Sequence, residues 1–132
     1  MSLPATVVPT CPPIVVVDAD RRIRQSLVDV LRVAGGVEVV GSAGDVRTAL
    51  SLIEQQRPAI VVVDPRLPDL DAGLALFNSI GLAWPSIRIV ATGWVDAFDH
   101  PALAAHANAF VAKSASPEEF VRAIVNACTD EP

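Results

Sequence analysis

The sequence predicts an α/β fold in which a doubly wound parallel sheet of five strands is covered by helices on both faces. Three observations predict it. Short apolar runs alternate along the chain with segments of helical period. Two of those runs, Ile14-Val15-Val16-Val17 and Ile60-Val61-Val62-Val63, are unbroken and β-branched, as strands buried on both faces must be. Both of these runs end in a lone carboxylate, Asp18 and Asp64.

The elements follow in order. The first strand is 14–18. After it Ile23, Leu27, Val30, Leu31 and Ala34 recur at three- and four-residue spacing, and Gly35-Gly36 stops that helix. A second strand covers 37–41. Val46, Ala49, Leu50 and Ile53 mark the second helix, ended by Arg57-Pro58, because the residue before proline disfavours helix. The third strand is 59–64, followed by a weaker helical pattern around 74–80. The fourth strand is 87–92. Its helix is short, opened by His100-Pro101 and reaching only about 105 before the last strand, 109–112. The fifth helix has the clearest start in the chain: Ser116 as N-cap, Pro117 in the first position and Glu119 completing a capping box. Five such units joined by right-handed crossovers match the flavodoxin-like strand order 2-1-3-4-5. Ligands of such sheets bind outside the carboxyl ends of strands one and three, where Asp18 and Asp64 stand.

Hydrophobic residues make up 52% and charged residues 19% of the 132 residues, which excludes disorder and suits one domain. A net charge of −5 argues against this segment gripping nucleic acid, since phosphate neutralisation needs a basic face. Residues 1–13 hold four prolines and read as a loose leader, 14–128 as the domain and 129–132 as a tail. Cys11 and Cys128 lack metal-ligand spacing and read as free thiols of a reducing compartment. No apolar stretch is long enough for a bilayer and no signal peptide is visible, so a cytoplasmic location without membrane contact is expected.

The chemistry follows from what the strand ends carry. Two like charges about 4 Å apart repel by about 4 kcal/mol at an effective dielectric near 20, so paired carboxylates want a cation. Strand four ends in Thr92-Gly93 and strand five is followed by Lys113, placing a hydroxyl and an ammonium on the same edge. Such a set suits a nucleophilic Asp64 that accepts a phosphoryl group, with Mg²⁺ on the carboxylates and Lys113 and Thr92 on the other oxygens. Taken singly, each residue has a plainer reading as a cap, a strand-end threonine or a solvated lysine.

From Ile14 to Ala127 the chain resembles the receiver domains of bacterial two-component response regulators. Asp64-Pro65-Arg66-Leu67-Pro68 with Asp71 is similar to the family's phosphoacceptor segment, which implies that Asp64 is phosphorylated by a sensor histidine kinase or a phosphotransfer protein. The resemblance implies Thr92 as the switch hydroxyl, Phe110 as the switch aromatic and Lys113 as the site lysine. It further implies an Mg²⁺ site of Asp18, Asp64 and the Arg66 backbone carbonyl, with Asp20 a further candidate. It implies a phosphoacceptor rather than an enzyme, and an output surface of the fourth helix, fifth strand and fifth helix that can pair two chains. Lys113-Ser114-Ala115-Ser116-Pro117-Glu118-Glu119 is similar to receivers that precede a helix-turn-helix DNA-binding domain. Arg66 and Trp94 stand where receivers flank the route of the hydrolytic water.

The chain departs from the family in two places. Receivers usually carry two adjacent acids after strand one, the second binding the metal directly; here that position is Ala19 and an acid, Asp20, comes one place later. Losing a direct ligand costs about 10–100-fold in metal affinity or more, so Mg²⁺ binding is expected to be weak. The family's usual glycine before strand five, where positive φ is expected, is His106. Ala19 motivates the alternative of a degenerate receiver, a protein–protein interaction module that signals without phosphate. A flavin-binding redox domain of the same fold is disfavoured, because Asp18-Ala19-Asp20-Arg21-Arg22 replaces the hydroxyl-rich phosphate loop it would need.

Overall fold

A computed structural model describes residues 13–94 and 100–129. In chain order it contains β1 (Pro13–Val17), α1 (Arg21–Ala34), β2 (Glu38–Ala43), α2 (Val46–Gln56), β3 (Ile60–Val63), α3 (Leu70–Ala83), β4 (Arg88–Gly93), α4 (Pro101–His106), β5 (Ala109–Ala112) and α5 (Pro117–Thr129). The five strands form one parallel sheet in the order β2-β1-β3-β4-β5, as the alternation of patterns predicts.

The sheet divides the core in two. Val15, Val17, Val61 and Val63 point to the face covered by α2, α3 and α4, where they meet Ile53, Phe77, Ile80 and Leu103. Ile14, Val16, Ile60 and Val62 point to the other face, against Val28 and Leu31 of α1 and Phe120 and Ile124 of α5. Every residue of the Ile60–Val63 run is fully buried, which explains why it shows no alternation.

The helix boundaries are written in short-range chemistry. Gly35 and Gly36 both have positive φ (72° and 75°), which ends α1 where a side chain would be strained. Asp45 and Asp69 cap α2 and α3 by accepting the backbone N–H of Thr48 and Ala72. The α5 capping box is complete: Ser116 Oγ accepts the Glu119 N–H at 3.1 Å, and Glu119 Oε1 accepts the Ser116 N–H at 2.8 Å. His100 caps α4, its Nδ1 accepting the Ala102 N–H at 3.2 Å.

Four expectations are corrected. The third helix runs over Leu70–Ala83, well beyond 74–80; its sequence is apolar on nearly every side, so the period that marks a helix has little contrast. β2 reaches Ala43, because the pairing with β1 slips between Ile14 and Val15: Ile14 pairs with Val39 but Val15 with Gly41, leaving Val40 as the extra residue of a bulge. His106 closes α4 without positive φ; among the described residues the only non-glycine residue with positive φ is Arg57, the C-cap of α2. Cys128 is disulfide-bonded rather than a free thiol. Helices of a parallel sheet return antiparallel to the strands, so α5 carries Cys128 to the edge where β1 begins, a proximity that distance in sequence conceals. Cys11 and the leader up to residue 12 lie outside the described residues. Among the described residues no helix is long and apolar enough to cross a membrane.

The capping box makes the first prediction. Ser116→Ala should lower stability by about 1 kcal/mol in chemical denaturation. The Ser116 N–H holds the Glu119 carboxyl below its ordinary value, so Glu119 favours the folded state above the unfolded pKa and loses that contribution as pH falls through the folded one. Glu119→Gln should therefore lower the melting temperature near pH 7 and leave it unchanged well below pH 4.

Candidate functional site

The strand register places the chemistry-bearing residues side by side. Val17 pairs with Val63 and Val63 with Ala91, so Asp18, Asp64 and Thr92 follow at one level across β1, β3 and β4. Gly93 pairs with Ala112, and the Lys113 N–H donates to the Gly93 carbonyl at 2.8 Å, which brings Lys113 to the same edge.

Asp18 is 1% exposed, and its Oδ1 accepts the Asp20 N–H at 2.8 Å. Asp64 is also buried, and its Oδ1 accepts the Arg66 N–H at 2.9 Å. The remaining oxygens share one cation: Lys113 Nζ lies 3.0 Å from Asp18 Oδ2 as an ion pair and also pairs with Asp64 Oδ2. Burial pushes the Asp18 carboxyl above its ordinary value, outweighing the Asp20 N–H and Lys113, which favour the charged form. For Lys113 burial acts downward, but its bonds to Asp64 and Asp18 prevail and hold the ammonium above its ordinary value. The lysine is therefore charged at neutral pH.

Thr92 is 2% exposed and its Oγ1 has no hydrogen-bond partner. A buried hydroxyl left unpaired costs about 1–3 kcal/mol, which makes it a donor in want of an acceptor beside two acids and a lysine. Phe110 is half-buried on the α3–α4 face, against the cluster that contains Leu103. Arg66 is exposed and Trp94 is 55% exposed, each two residues beyond a site residue, Asp64 and Thr92. Asp71 lies exposed in the first turn of α3. The structure places His100 and His106 at the two ends of α4.

Asp20 Oδ1 is occupied as the N-cap of α1, accepting the Arg22 and Ile23 N–H groups at 2.9 and 3.1 Å. Ala19 contributes no donor, and among the described residues no group of three His, Cys, Asp or Glu side chains is gathered for a metal. The two buried carboxylates are hard oxygen donors and fit Mg²⁺ in kind, while their number and their pairing with Lys113 make the fit a weak one.

Two supporting residues escape sequence reasoning. Arg24 Nη1 donates to the Asp18 carbonyl at 2.7 Å, holding the turn after β1, yet in the sequence it is one of three arginines in the first four positions of α1 and reads as plain helix surface. Gly73 lets α3 lie against the loop after Asp64: a Cβ there would stand 1.6 Å from the Pro65 carbonyl oxygen. A glycine inside an apolar helical stretch was the available signal. The same loop contains a cis peptide between Leu67 and Pro68. Gly73→Ala should cost about 1–3 kcal/mol, because the contact is with backbone and the loop bearing Asp64 must shift. Gly81→Ala, in the same helix with nothing near its Cβ position, should instead raise stability by about 0.5–1 kcal/mol. Paired urea titrations measure both.

Comparison with known proteins agrees with this geometry. Residues 14–125 match the response regulator receiver domain. The chain is similar to the DNA-binding transcriptional activator DevR/DosR of Mycobacterium tuberculosis (33% identical over 110 residues, 82% of this chain and 50% of that protein). It is similar to the same degree to the transcriptional regulatory protein YhcZ of Bacillus subtilis (33% over 111 residues, 83% of this chain and 51% of that protein). The chain thus spans about half the length of the curated relatives it matches. Among solved structures, the signal receiver domain of the response regulator NarL from M. tuberculosis superimposes with a TM-score of 0.74 at 28% identity, covering 93% of this chain and 100% of that one.

Proposed function

The chain belongs to the response regulator receiver domain family, and from that premise we propose that it takes a phosphoryl group from a sensor histidine kinase, or a phosphotransfer protein, onto Asp64. The observation that carries this reading is the unpaired Thr92 hydroxyl beside two buried carboxylates that share Lys113. An Asp64 oxygen attacks the phosphorus of a phosphohistidine; the O–P bond forms as the N–P bond breaks, and the imidazole leaves with the electron pair and takes up a proton. Lys113 then pairs with a phosphoryl oxygen, and Thr92 donates its hydroxyl to another. That bond would draw Thr92 toward the site and open space for Phe110, a two-state change biased by phosphate contacts and read out on α4, β5 and α5. The same surface is proposed to pair two chains. The protein is read as a cytoplasmic phosphoacceptor, whose disulfide-bonded Cys128 departs from the reduced thiols usual in that compartment, without nucleic-acid binding by this segment, in a transcription-regulating two-component pathway.

Asp18, Asp64 and the Arg66 carbonyl, with Asp20 as a further candidate, would hold Mg²⁺, which when bound supplies charge neutralisation for the incoming oxygens. Ala19 and the engagement of Lys113 with both acids favour a second reading, a degenerate receiver that works without phosphate.

Two measurements decide. Acetyl phosphate with Mg²⁺ should label the protein, and Asp64→Asn should abolish the label while leaving the circular dichroism spectrum unchanged; no label on the unaltered chain points to the degenerate module. Ala19→Asp should tighten Mg²⁺ about 10-fold or more by titration calorimetry. An unchanged affinity overturns the assignment of Ala19 to the missing ligand.

A further inference from the structure

We propose that Arg24 is a positioning residue for the Asp18 carboxylate, and that position 44 is glycine in order to seat the Arg24 guanidinium. This role rests on the phosphoacceptor reading, in which Asp18 stands beside Asp64. β1 ends at Val17, which pairs with Ala43 of β2, and the next N–H, that of Asp18, still reaches the Ala43 carbonyl at 3.0 Å. The Asp18 carbonyl lies past the strand, and Arg24 Nη1 donates to it at 2.7 Å. Each polar group of Asp18 is thereby engaged: the N–H by Ala43, the carbonyl by Arg24, Oδ1 by the Asp20 N–H, and Oδ2 by the Lys113 ammonium.

Gly44 shows that the arrangement is built. A Cβ at position 44 would stand 2.6 Å from Arg24 Nη1 and 3.4 Å from its Cζ, with the Asp18 carbonyl oxygen next at 3.7 Å. Among the described residues only Gly35 and Gly36 are glycines of positive φ, so the backbone at 44 does not ask for glycine. The guanidinium does. Arg24 acts through the peptide rather than through its charge, since the charges that act on the Asp18 carboxyl are those of Lys113 and Asp64. The carbonyl it holds belongs to the peptide between Asp18 and Ala19. Turning that peptide would carry off the Asp20 N–H that fixes Asp18 Oδ1. Groups that orient a site carboxylate count nearly as much as the carboxylate itself. Ala19 adds weight to this, because Asp18 is the one buried acid that the end of β1 supplies.

The test is a double-mutant cycle on the full chain, read by NMR of the Asp20 amide and by the rate of labelling with acetyl phosphate and Mg²⁺. Arg24→Met keeps the apolar stem; it should move the Asp20 amide proton upfield and slow labelling about tenfold. Gly44→Ala should do the same, because its methyl group displaces the guanidinium from the Asp18 carbonyl. That methyl group has room once the guanidinium is gone, so Arg24→Met combined with Gly44→Ala should be no worse than Arg24→Met alone. Arg21→Met, which removes an equal charge from an exposed position of the same helix, should leave both readouts unchanged. An Asp20 amide that Arg24→Met does not move overturns the proposal. So do labelling that stays at full rate in Arg24→Met, and losses that add in the double change. If the unaltered chain takes no label, the phosphoacceptor reading fails, and the amide shifts across the cycle still decide whether Arg24 positions Asp18.

Discussion

Two carboxylates are buried at the ends of neighbouring central strands, and one ammonium holds both. Without Lys113, Asp18 and Asp64 would face each other across β1 and β3 in a setting where burial already works against the charged form of Asp18. Much of the surrounding architecture serves this arrangement. The strands on which the acids sit are central and almost wholly buried, and both acids are themselves buried. Their second oxygens are fixed by backbone N–H groups of the turns that follow, and the turn after β1 is held in turn by Arg24. Lys113 arrives from β5, whose pairing with β4 ends at the Gly93–Ala112 step immediately before it.

This dependence explains what an extra or missing charge would do. With a second acid at position 19 the cluster would carry two more negative charges than Lys113 can balance, and a divalent ion would be the natural remedy. With Ala19 the ammonium alone leaves a milder excess. An uncharged residue at position 19 therefore makes the resting site easier to fold.

Much of this was legible in the sequence because the signals were local. The apolar runs, the glycine pair after α1 and the capping box at Ser116 each act within a few residues, and each appears where its chemistry requires. Strand order followed from the alternation, and strand order alone brings Asp18 beside Asp64. The misses have two causes, apolar residues outside the core and contacts between distant segments. α3 buries one stripe, Gly73, Leu76, Phe77 and Ile80, but carries apolar residues such as the exposed Leu82 on its other face, so its helical period has little contrast. Gly73 is demanded by the Pro65 carbonyl, and the Arg24 guanidinium by the Asp18 carbonyl, neither of which leaves a pattern in the chain. The β2 bulge shows in register only once β1 is laid beside it, and the bonding of Cys128 depends on how α5 returns to the start of β1.

That bulge has a consequence for the protein in a crowded solution. A parallel sheet of this order exposes two rims, β2 and β5, whose unpaired backbone groups could template another chain. β2 is kinked by Val40 and starts with the charged Glu38, and β5 is only four residues long. Neither rim offers the long, flat, uncharged stretch that seeds intermolecular strands. The two central strands, β1 and β3, are nearly pure Val and Ile, and they are shielded between rims poorly shaped to nucleate fibrils.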